Sequence, residues 1–201
     1  MDQKTNNAKA LSAVGALFAI SGFAALIYQI TWQRLLFIVF GVDTESVTII
    51  VTTFMLGLGF GGLIGGRISD LYRQRCIHVF LICEMMIGLF GLASQNIIGA
   101  ISSSGSQFDL AIKSILLLLL PTTLMGMTLP LLSVALIEKG LVVSESVGKL
   151  YYFNTVGAAM ACLSTGFFLF TMLNISQTIY IAASLNFIVA ISGFILRAKW
   201  K

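Results

Sequence analysis

The feature that most constrains this chain is a series of long stretches without a charged residue. Residues 10–33, 46–66, 85–108, 114–137 and 150–196 contain no Asp, Glu, Lys or Arg. A helix of about 20 apolar residues crosses the hydrocarbon core of a bilayer, so the last stretch is long enough for two crossings. The sequence therefore predicts an all-α fold, a polytopic transmembrane bundle of six helices in a single domain. The predicted spans are residues 10–37, 46–68, 77–99, 111–137, 146–172 and 176–197.

The composition excludes several classes of protein. Charged residues make up 10% of the 201 residues and apolar residues 58%, whereas about 25% of an ordinary soluble domain is charged. A soluble globular enzyme, a disordered chain and a nucleic-acid-binding domain are therefore excluded. The formal net charge of +4 is too small and too dispersed for a basic groove. The expected partner is the lipid bilayer and not nucleic acid.

The distribution of basic residues predicts the orientation in the membrane, because cytoplasmic loops are enriched in Lys and Arg. With six spans, only Arg34 and Lys113 of the 12 basic residues fall on one side. The other side carries Lys4, Lys9, Arg67, Arg73, Arg75, Lys139, Lys149, Arg197, Lys199 and Lys201. We therefore expect a multi-pass protein of the bacterial inner membrane with both termini in the cytoplasm, which agrees with an even number of spans.

Metal and catalytic chemistry find little support in the sequence. Cys76, Cys83 and Cys162 share no short spacing, and His78 is the only histidine. Zinc sites need clusters of Cys and His, so we expect no metal site and no cofactor. A membrane-embedded enzyme would need a nucleophile or metal constellation, which these scattered residues do not form.

A run of glycines marks the second span. Residues 57–62 read GLGFGG, which matches the letters of a dinucleotide-binding motif, but that motif needs a preceding strand and a phosphate at a helix start. Inside an apolar helix, glycines instead give a surface without side chains on which another helix packs closely. The alternative is a substrate path that needs the room. The predicted packing glycines are Gly57, Gly61, Gly65, Gly62 and Gly66.

The most polar segment follows the second span, where residues 65–75 read GGRISDLYRQR. One interpretation is a cytoplasmic turn that obeys the positive-inside rule. The other is a functional loop in which Asp70 pairs with an arginine or caps the next helix. With Arg67, Arg73 and Arg75, the segment resembles the loop between the second and third helices of major facilitator transporters, which latches conformations of their two halves.

Glu84 is the one acidic residue well inside a predicted span. An ionisable group there costs about 3 kcal/mol on insertion scales, so it is a functional candidate by default. At ~1.5 Å per residue it lies about 10 Å from the cytoplasmic end of its helix, at the depth of Asn154 and Thr128. We expect either a cation or proton site, or a neutral Glu84 that is hydrogen-bonded to Asn154 or Tyr151.

Two further spans carry polar or helix-breaking residues. Tyr28 and Arg34 lie near the outer end of the first helix, where aromatic and basic side chains favour the interface, although Tyr28 sits deeper. Pro121 and Pro130 are the only prolines and fall in the fourth span, where we predict kinks. Nearby threonines can satisfy the carbonyl groups that prolines free, and broken helices often line transport sites.

Five segments together resemble one family. They are residues 21–34 (SGFAALIYQITWQR), the glycine-rich second helix that ends in GRISD at residue 70, Glu84, residues 121–130 (PTTLMGMTLP) and residues 147–157 (VGKLYYFNTVG). In this order they are similar to the membrane domain of spermidine synthase-like proteins, which are also described as fused major-facilitator/spermidine synthase proteins. The resemblance implies a six-helix unit like half of a major-facilitator fold.

In that family a membrane region precedes a soluble, Rossmann-like domain that resembles aminopropyltransferases and binds decarboxylated S-adenosylmethionine and a polyamine. This sequence reaches Lys201 without a strand-rich segment, a nucleotide-binding loop or an acidic polyamine pocket. The resemblance therefore extends to the membrane half alone. We expect no aminopropyl transfer by this chain.

Two functions remain open. The first is a transport or membrane-partner module for a polyamine or another small cation, for which a homodimer would supply twelve helices. The second is a non-transporting membrane anchor that holds a separately encoded, soluble synthase-like partner through the loop of residues 67–75, which we call the basic loop, and the basic C-terminus. The candidate cation ligands of the first are Glu84, Asn154, Thr128, Tyr151 and Tyr28.

Overall fold

The computed structural model describes the backbone of residues 2–101 and 106–198 and the side chains of residues 11–101 and 106–196. Within these residues the chain is helical apart from short turns, and no strand is present. The elements are α1 (Asp2–Phe40), α2 (Asp43–Leu71), a 3₁₀ turn (Arg73–Arg75), α3 (Cys76–Ile101), α4 (Gln107–Ile137), α5 (Val143–Ser164), a π-helical segment (Thr165–Leu169), α6 (Phe170–Met172) and α7 (Ile175–Ala198).

Six helical segments of the described chain are long and apolar enough to cross a membrane. This confirms the predicted all-α fold with six spans. The fifth span combines α5, the π-helical segment and α6. The spans are Leu11–Phe40, Asp43–Leu71, Arg73–Ile101, Gln107–Ile137, Val143–Met172 and Ile175–Leu196. They run a few residues past most of the predicted limits, because helical hydrogen bonding continues beyond the apolar residues.

Local signals in the sequence end and begin these helices. Gly41 (φ 70°) follows α1 and Gly140 (φ 82°) lies in the turn after α4, and this left-handed conformation favours glycine at helix ends. Asn174 and Gln177 cap the start of α7 reciprocally, since the backbone N–H of each donates to the side chain of the other at 3.1 and 2.8 Å. These caps keep the connections short, so consecutive spans run antiparallel.

The spans pack as two main pairs, α2 with α4 and α1 with α5, while α3 contacts α4 and α7, and α7 also contacts α1. Because the number of spans is even, α1 begins and α7 ends at the same end of the bundle, which we call the N-terminal end. One buried cluster includes Phe18 and Leu131 near the N-terminal end. The other includes Trp32 and Leu118 near the opposite end.

α2 and α4 approach so closely that side chains are excluded between them. A Cβ on Gly61 would overlap the backbone of α4, where the Cα of Gly126 would be 2.7 Å away. Gly57 and Gly65, one turn to either side, also face α4 with no room for a Cβ. The packing surface predicted on these three glycines therefore meets a helix of the same chain.

Gly62 and Gly66 do not pack on another helix of the described bundle, so packing at these two glycines stays a prediction. A Cβ at either position would have no atom of another helix within 4 Å. Each follows a glycine that faces α4, and a step of one residue turns about 100° around an α-helix. These two glycines therefore point away from α4 and leave a bare strip on the outside of α2.

α4 continues as one helix through Pro121 and Pro130, and each proline removes one N–H from its hydrogen-bond ladder. The hydroxyl of Thr122 donates to the carbonyl four residues before it at 2.8 Å. The hydroxyl of Thr128 donates to the carbonyl three residues before it at 2.6 Å. Pro121 and Pro130 free the carbonyl groups of residues 117 and 126, whereas these hydroxyls bond to the carbonyls of the adjacent Leu118 and Met125. The prediction that nearby threonines satisfy the freed carbonyls is therefore wrong for these two threonines.

Candidate functional site

Glu84 lies inside the bundle with none of its surface exposed. It is about 12 Å from the start of α3, at 1.5 Å per residue. Its Oε1 accepts a hydrogen bond from the hydroxyl of Ser21 on α1 at 2.6 Å. Its Oε2 accepts one from the side-chain amide of Asn186 on α7 at 2.7 Å. One carboxyl group therefore joins three spans.

These donors differ from the predicted ones, and the prediction that Glu84 bonds to Asn154 or Tyr151 is wrong. Asn154 lies on α5, where its backbone and side-chain oxygens fit against Gly22 of α1. Gly22 is the residue after Ser21, so it faces a different side of α1 from the hydroxyl group that donates to Glu84. Tyr151 is 63% exposed on the outside of α5. α1 therefore separates this pair from the buried carboxyl.

Thr128 is buried at a depth similar to that of Glu84, but its hydroxyl donates within α4, to Met125. Depth along a helix gives the height of a residue in the bundle and leaves its direction around the helix axis open. The predicted layer of Glu84, Asn154 and Thr128 is therefore not one hydrogen-bonded site in the structure.

Tyr28 and Trp32 continue the contact between α1 and α3 towards the opposite end. The indole N–H of Trp32 donates to the hydroxyl of Ser94 at 3.0 Å, and Ser94 donates to the carbonyl of Gly91 at 2.7 Å. A Cβ on Gly91 would overlap the Tyr28 hydroxyl. These contacts form a line of about 15 Å along α3. We call it the polar seam, and it consists of the pairs Ser21–Glu84, Tyr28–Gly91 and Trp32–Ser94.

Aromatic rings fill the seam beyond the carboxyl. Tyr28 stacks on Trp32 with ring centroids 4.9 Å apart. Trp32 also contacts Phe54 of α2 at 6.1 Å and the edge of Phe90 of α3 at 5.7 Å. Aromatic faces attract cations as well as apolar groups. The seam thus combines one acid, three hydroxyl groups and an aromatic cluster.

Two buried polar atoms at this site have no hydrogen-bond partner among the described residues. They are the hydroxyl oxygen of Tyr28 and the Oδ1 atom of Asn186. No ion pair joins Glu84 to another described residue. Buried polar atoms are almost always paired in folded proteins, and an exception calls for an explanation such as strain, a catalytic role, or a bound water or ion. The unused acceptors therefore flank the carboxyl along the interior of the bundle.

The basic loop lies at the N-terminal end, away from the buried carboxyl. Arg73 contacts Asp70 at 3.8 Å and Glu138, at the end of α4, at 3.2 Å. Arg67 and Arg75 are exposed. Exposed ion pairs contribute about 0–1 kcal/mol to stability, so these pairs orient the loop more than they stabilise the fold.

Three important residues were missed by sequence reasoning. Ser21 and Asn186 hold Glu84, and the detectable signal for Asn186 was a lone amide near the middle of the apolar α7. Phe170 on α6 lies with its ring centre 3.8 Å from the guanidinium carbon of Arg34. This cation–π contact ties the end of the fifth span to α1, while Arg34 remains exposed near the end of its helix.

Among the described residues, no group of three or more His, Cys, Asp or Glu side chains could hold a metal ion. Cys76 and Cys83 are buried and Cys162 is exposed, all as free thiols. The ligands available at the polar seam are oxygen atoms of a carboxyl, an amide and hydroxyl groups. Such ligands suit a proton, a hard monovalent cation or an ammonium group.

A comparison with curated proteins finds a similarity to a protein named polyamine aminopropyltransferase from Leptospira interrogans serogroup Icterohaemorrhagiae serovar copenhageni (strain Fiocruz L1-130). The two sequences are 27% identical over 168 residues, which cover 84% of this chain and 32% of the relative. The chain thus spans about a third of the length of the curated relative. No family model and no solved structure matches it. By its helices the chain is a multi-pass membrane protein, and by its sequence it is distantly similar to a polyamine aminopropyltransferase.

Proposed function

We propose that this chain is a membrane module that binds and moves a polyamine or another small cation, with Glu84 as the residue that balances the positive charge. The observation that carries this proposal is a fully buried carboxyl group with two neutral donors and no described ion-pair partner. A carboxylate without a counter-ion is costly inside a membrane. A positively charged ligand would supply the missing charge.

The surroundings of Glu84 suit an alkylammonium group. An ammonium donates several hydrogen bonds and is attracted to aromatic faces. Asn186 Oδ1 and the Tyr28 hydroxyl are unused acceptors, and Trp32 stacks beside Tyr28. The similarity to a polyamine aminopropyltransferase supports a polyamine as the cation.

A homodimer of this module would provide twelve spans, as expected from the resemblance to half of a major-facilitator fold. The bare strip at Gly62 and Gly66 gives α2 a surface on which a helix from a second copy could pack closely. In this scheme each protomer contributes one Glu84 to a shared path.

The test is uptake of radiolabelled spermidine and putrescine into proteoliposomes that contain the purified chain. We expect Glu84→Gln to lower uptake at least tenfold, because the variant keeps the size and hydrogen bonding of the side chain and loses its charge. Glu145→Gln is the matched control, since Glu145 is exposed and pairs with Lys149 on the surface of α5. Absence of uptake by the unaltered chain, or equal uptake by both variants, would contradict the proposal.

The second candidate function is a membrane anchor, and the exposure of the fifth span favours it. In the most apolar stretch of this span 17% of the residues are buried, against 33–50% in the other five. Tyr151 and Tyr152 expose their rings there. Lipid or the membrane segment of a partner would cover this surface.

The anchor is tested by purifying the tagged protein from its native host and identifying the proteins that accompany it. A stoichiometric, soluble synthase-like protein is the expected result. Neutralising Asp70, Arg73 and Arg75 should then release that partner, whereas Glu84→Gln should not. A partner that is lost with Glu84→Gln and retained without the loop charges would contradict the anchor.

A further inference from the structure

We propose that Glu84 is a proton-binding site in which Asn186 pairs with both the protonated and the ionised carboxyl group. This inference rests on the proposed function of Glu84 and names its resident ligand. In the proposed resting state the carboxyl holds a proton and donates it to the turned Asn186 amide, and a polyamine or other cation takes the site after that proton leaves. The chain would then exchange one positive charge for another.

The first argument is the lack of a counter-charge. Glu84 is fully buried, and both of its hydrogen-bond donors are neutral. An uncompensated charge in such a place is expensive, and a carboxyl group there avoids the cost by taking up a proton.

Among the described residues of the neighbouring spans, no other ionisable group takes part in the hydrogen bonds of Glu84. Apart from Glu84, the spans that pack on α3, and α3 itself, contain the following titratable or charged groups: Tyr28 and Arg34 of α1, Asp109 and Lys113 of α4, Tyr180 of α7, and Cys76, His78 and Cys83 of α3. Asp109 and Lys113 pair with each other at 2.6 Å, and Arg34 lies on the Phe170 ring.

The second argument is the chemistry of the amide. A carboxylate accepts hydrogen bonds, whereas a protonated carboxyl group also donates one. The side chain of Asn186 carries an NH₂ group and a carbonyl oxygen, so a half-turn about its Cβ–Cγ bond exchanges donor for acceptor. Its Oδ1 atom is unpaired while Nδ2 bonds to Glu84. The amide therefore has an unused acceptor for the protonated state.

The distances at the carboxyl fit both states. The 2.7 Å contact between Asn186 and Glu84 equals the usual O–H···O separation of about 2.7–2.8 Å. It also falls in the range of about 2.7–2.9 Å for an N–H that donates to a charged oxygen. The Ser21 hydroxyl, 2.6 Å from Oε1, donates in both cases. Proton transfer would thus need no movement of the helices.

The third argument is access. A cavity of about 20 Å³ lies on the N-terminal side of Glu84, with Leu17, Leu81 and Gly193 in its lining. These residues are one to two turns from Ser21, Glu84 and Asn186 respectively. The volume admits one water molecule, whereas pockets for organic ligands measure about 300–1,000 Å³. Because the lining is apolar, water would pass through without staying, and a polyamine would be excluded until the bundle opens.

The proposed cycle conserves protons. Water that passes through the cavity to the carboxyl delivers a proton to Oε2, the Asn186 amide turns, and the new O–H donates to Oδ1. On release the proton returns to water, and Nδ2 again donates to the carboxylate. The ionised carboxyl group then attracts the ammonium group of the transported cation.

The test is infrared spectroscopy of the full chain in lipid nanodiscs at pH 7. A protonated carboxyl group has a carbonyl stretch that is separate from the carboxylate bands and shifts in D₂O. We expect one such band in the unaltered chain and none in Glu84→Gln. The background is low because the other seven acidic residues lie near the ends of the spans, at Asp2, Asp43, Glu45, Asp70, Asp109, Glu138 and Glu145. Absence of the band from the folded, unaltered chain would overturn the proposal.

A second variant tests the role of Asn186 as a positioning residue. Asn186→Leu keeps the site buried but removes the amide acceptor, so the carbonyl band of Glu84 should move to higher frequency as the carboxyl group loses a hydrogen bond. Asn96→Leu is the control, because Asn96 is an exposed asparagine in α3. An unchanged band in a folded Asn186→Leu protein would overturn the pairing of Asn186 with the protonated state.

The two proposals fail separately. If the Glu84 band is present and no polyamine enters proteoliposomes, the transport function fails and the proton site stands. If uptake depends on Glu84 and the band is absent, the transport function stands and the proton site fails. If both stand, spermidine added to the nanodiscs should remove the band, and a pH-sensitive dye should record the released protons.

Discussion

Tyr28 and Glu84 present two different solutions for a polar group inside a membrane bundle. Glu84 takes one hydrogen bond on each oxygen from two other spans. The hydroxyl of Tyr28 is fully buried against Gly91 and has no partner among the described residues. An unpaired buried hydroxyl costs roughly 1–3 kcal/mol. Such a cost is retained where the group serves a ligand, which gives a simple test at this position.

Tyr28→Phe should separate stability from function. Because the variant removes a buried hydroxyl that makes no hydrogen bond, we expect the free energy of unfolding to rise by about 1 kcal/mol. Spermidine uptake should fall if the hydroxyl is a ligand, as proposed. Unfolding in denaturant and uptake assays measure the two effects. Tyr152→Phe, at an exposed position, should change neither, and a clear loss of stability in Tyr28→Phe would show that the hydroxyl has a partner.

The sequence predicted Glu84 as a candidate because it interrupts a run of apolar residues, and this is a local signal. It did not predict Ser21 and Asn186, which are 63 and 102 residues away along the chain. The partners depend on which side of each helix faces α3, and that direction is set by packing across the whole bundle. Asn154 has a suitable depth and a suitable side chain, yet it faces the other side of α1.

At the scale of elements, α2 and α4 form the most extensive helix pair of the described chain. Their contact is made largely by backbone, because Gly57, Gly61 and Gly65 of α2 lie where a Cβ would overlap α4. Without a hydrophobic force between helices in lipid, such close contact provides the packing energy. The stability of this pair should therefore fall when a methyl group is added to the side of α2 that faces α4. A methyl group on the side that faces away from α4 should not lower it.

Gly61→Ala and Gly62→Ala make a matched test of this pair. Gly61→Ala should lower the free energy of unfolding by about 1–3 kcal/mol, because the new Cβ overlaps α4. In the monomer Gly62→Ala should raise it by about 0.5–1 kcal/mol, because alanine favours a helix and the position is open within the described bundle. Denaturant unfolding in the same detergent measures both. Equal losses in the two variants would contradict the assignment of their faces.

The spacing of the glycines in the sequence could predict that α2 has a packing surface, but it could not show which of the glycines face α4. The four-residue spacing of Gly57, Gly61 and Gly65 indicates one side of α2, and the same spacing relates Gly62 and Gly66. Both sets satisfy the pattern, and only the position of α4 distinguishes them. The prolines of α4 show a similar limit, since their positions were clear while the carbonyls that accept from the nearby threonines were not.

At the scale of the whole molecule, the basic loop and the ion pair between Lys113 and Asp109 lie at opposite ends of the bundle. The number of spans and the distribution of basic residues lead to one topology. Both are properties of the entire chain, so they were predictable from the sequence without any tertiary contact. The positive-inside rule predicts that the loop faces the cytoplasm, and this orientation stays a prediction.

Cysteine labelling tests this topology. In a chain whose natural cysteines are replaced by alanine, a membrane-impermeant maleimide should label Lys113→Cys in intact spheroplasts. It should label Arg75→Cys only after the membrane is permeabilised, because α3 separates the two positions. Labelling of both from the same side would contradict a membrane-spanning α3, and the reverse pattern would contradict the orientation.

The bond between Glu84 and Asn186 also has a consequence for biosynthesis. The two residues are 102 positions apart, so at roughly 5–20 residues per second the ribosome makes Asn186 about 5–20 s after Glu84. During that interval Ser21 is present and Asn186 is not, so one of the two residues that donate hydrogen bonds to Glu84 is missing. Insertion of α7 completes the site. A nascent chain that stalls before α7 would therefore hold an acid within the membrane with one of its two hydrogen-bond donors missing.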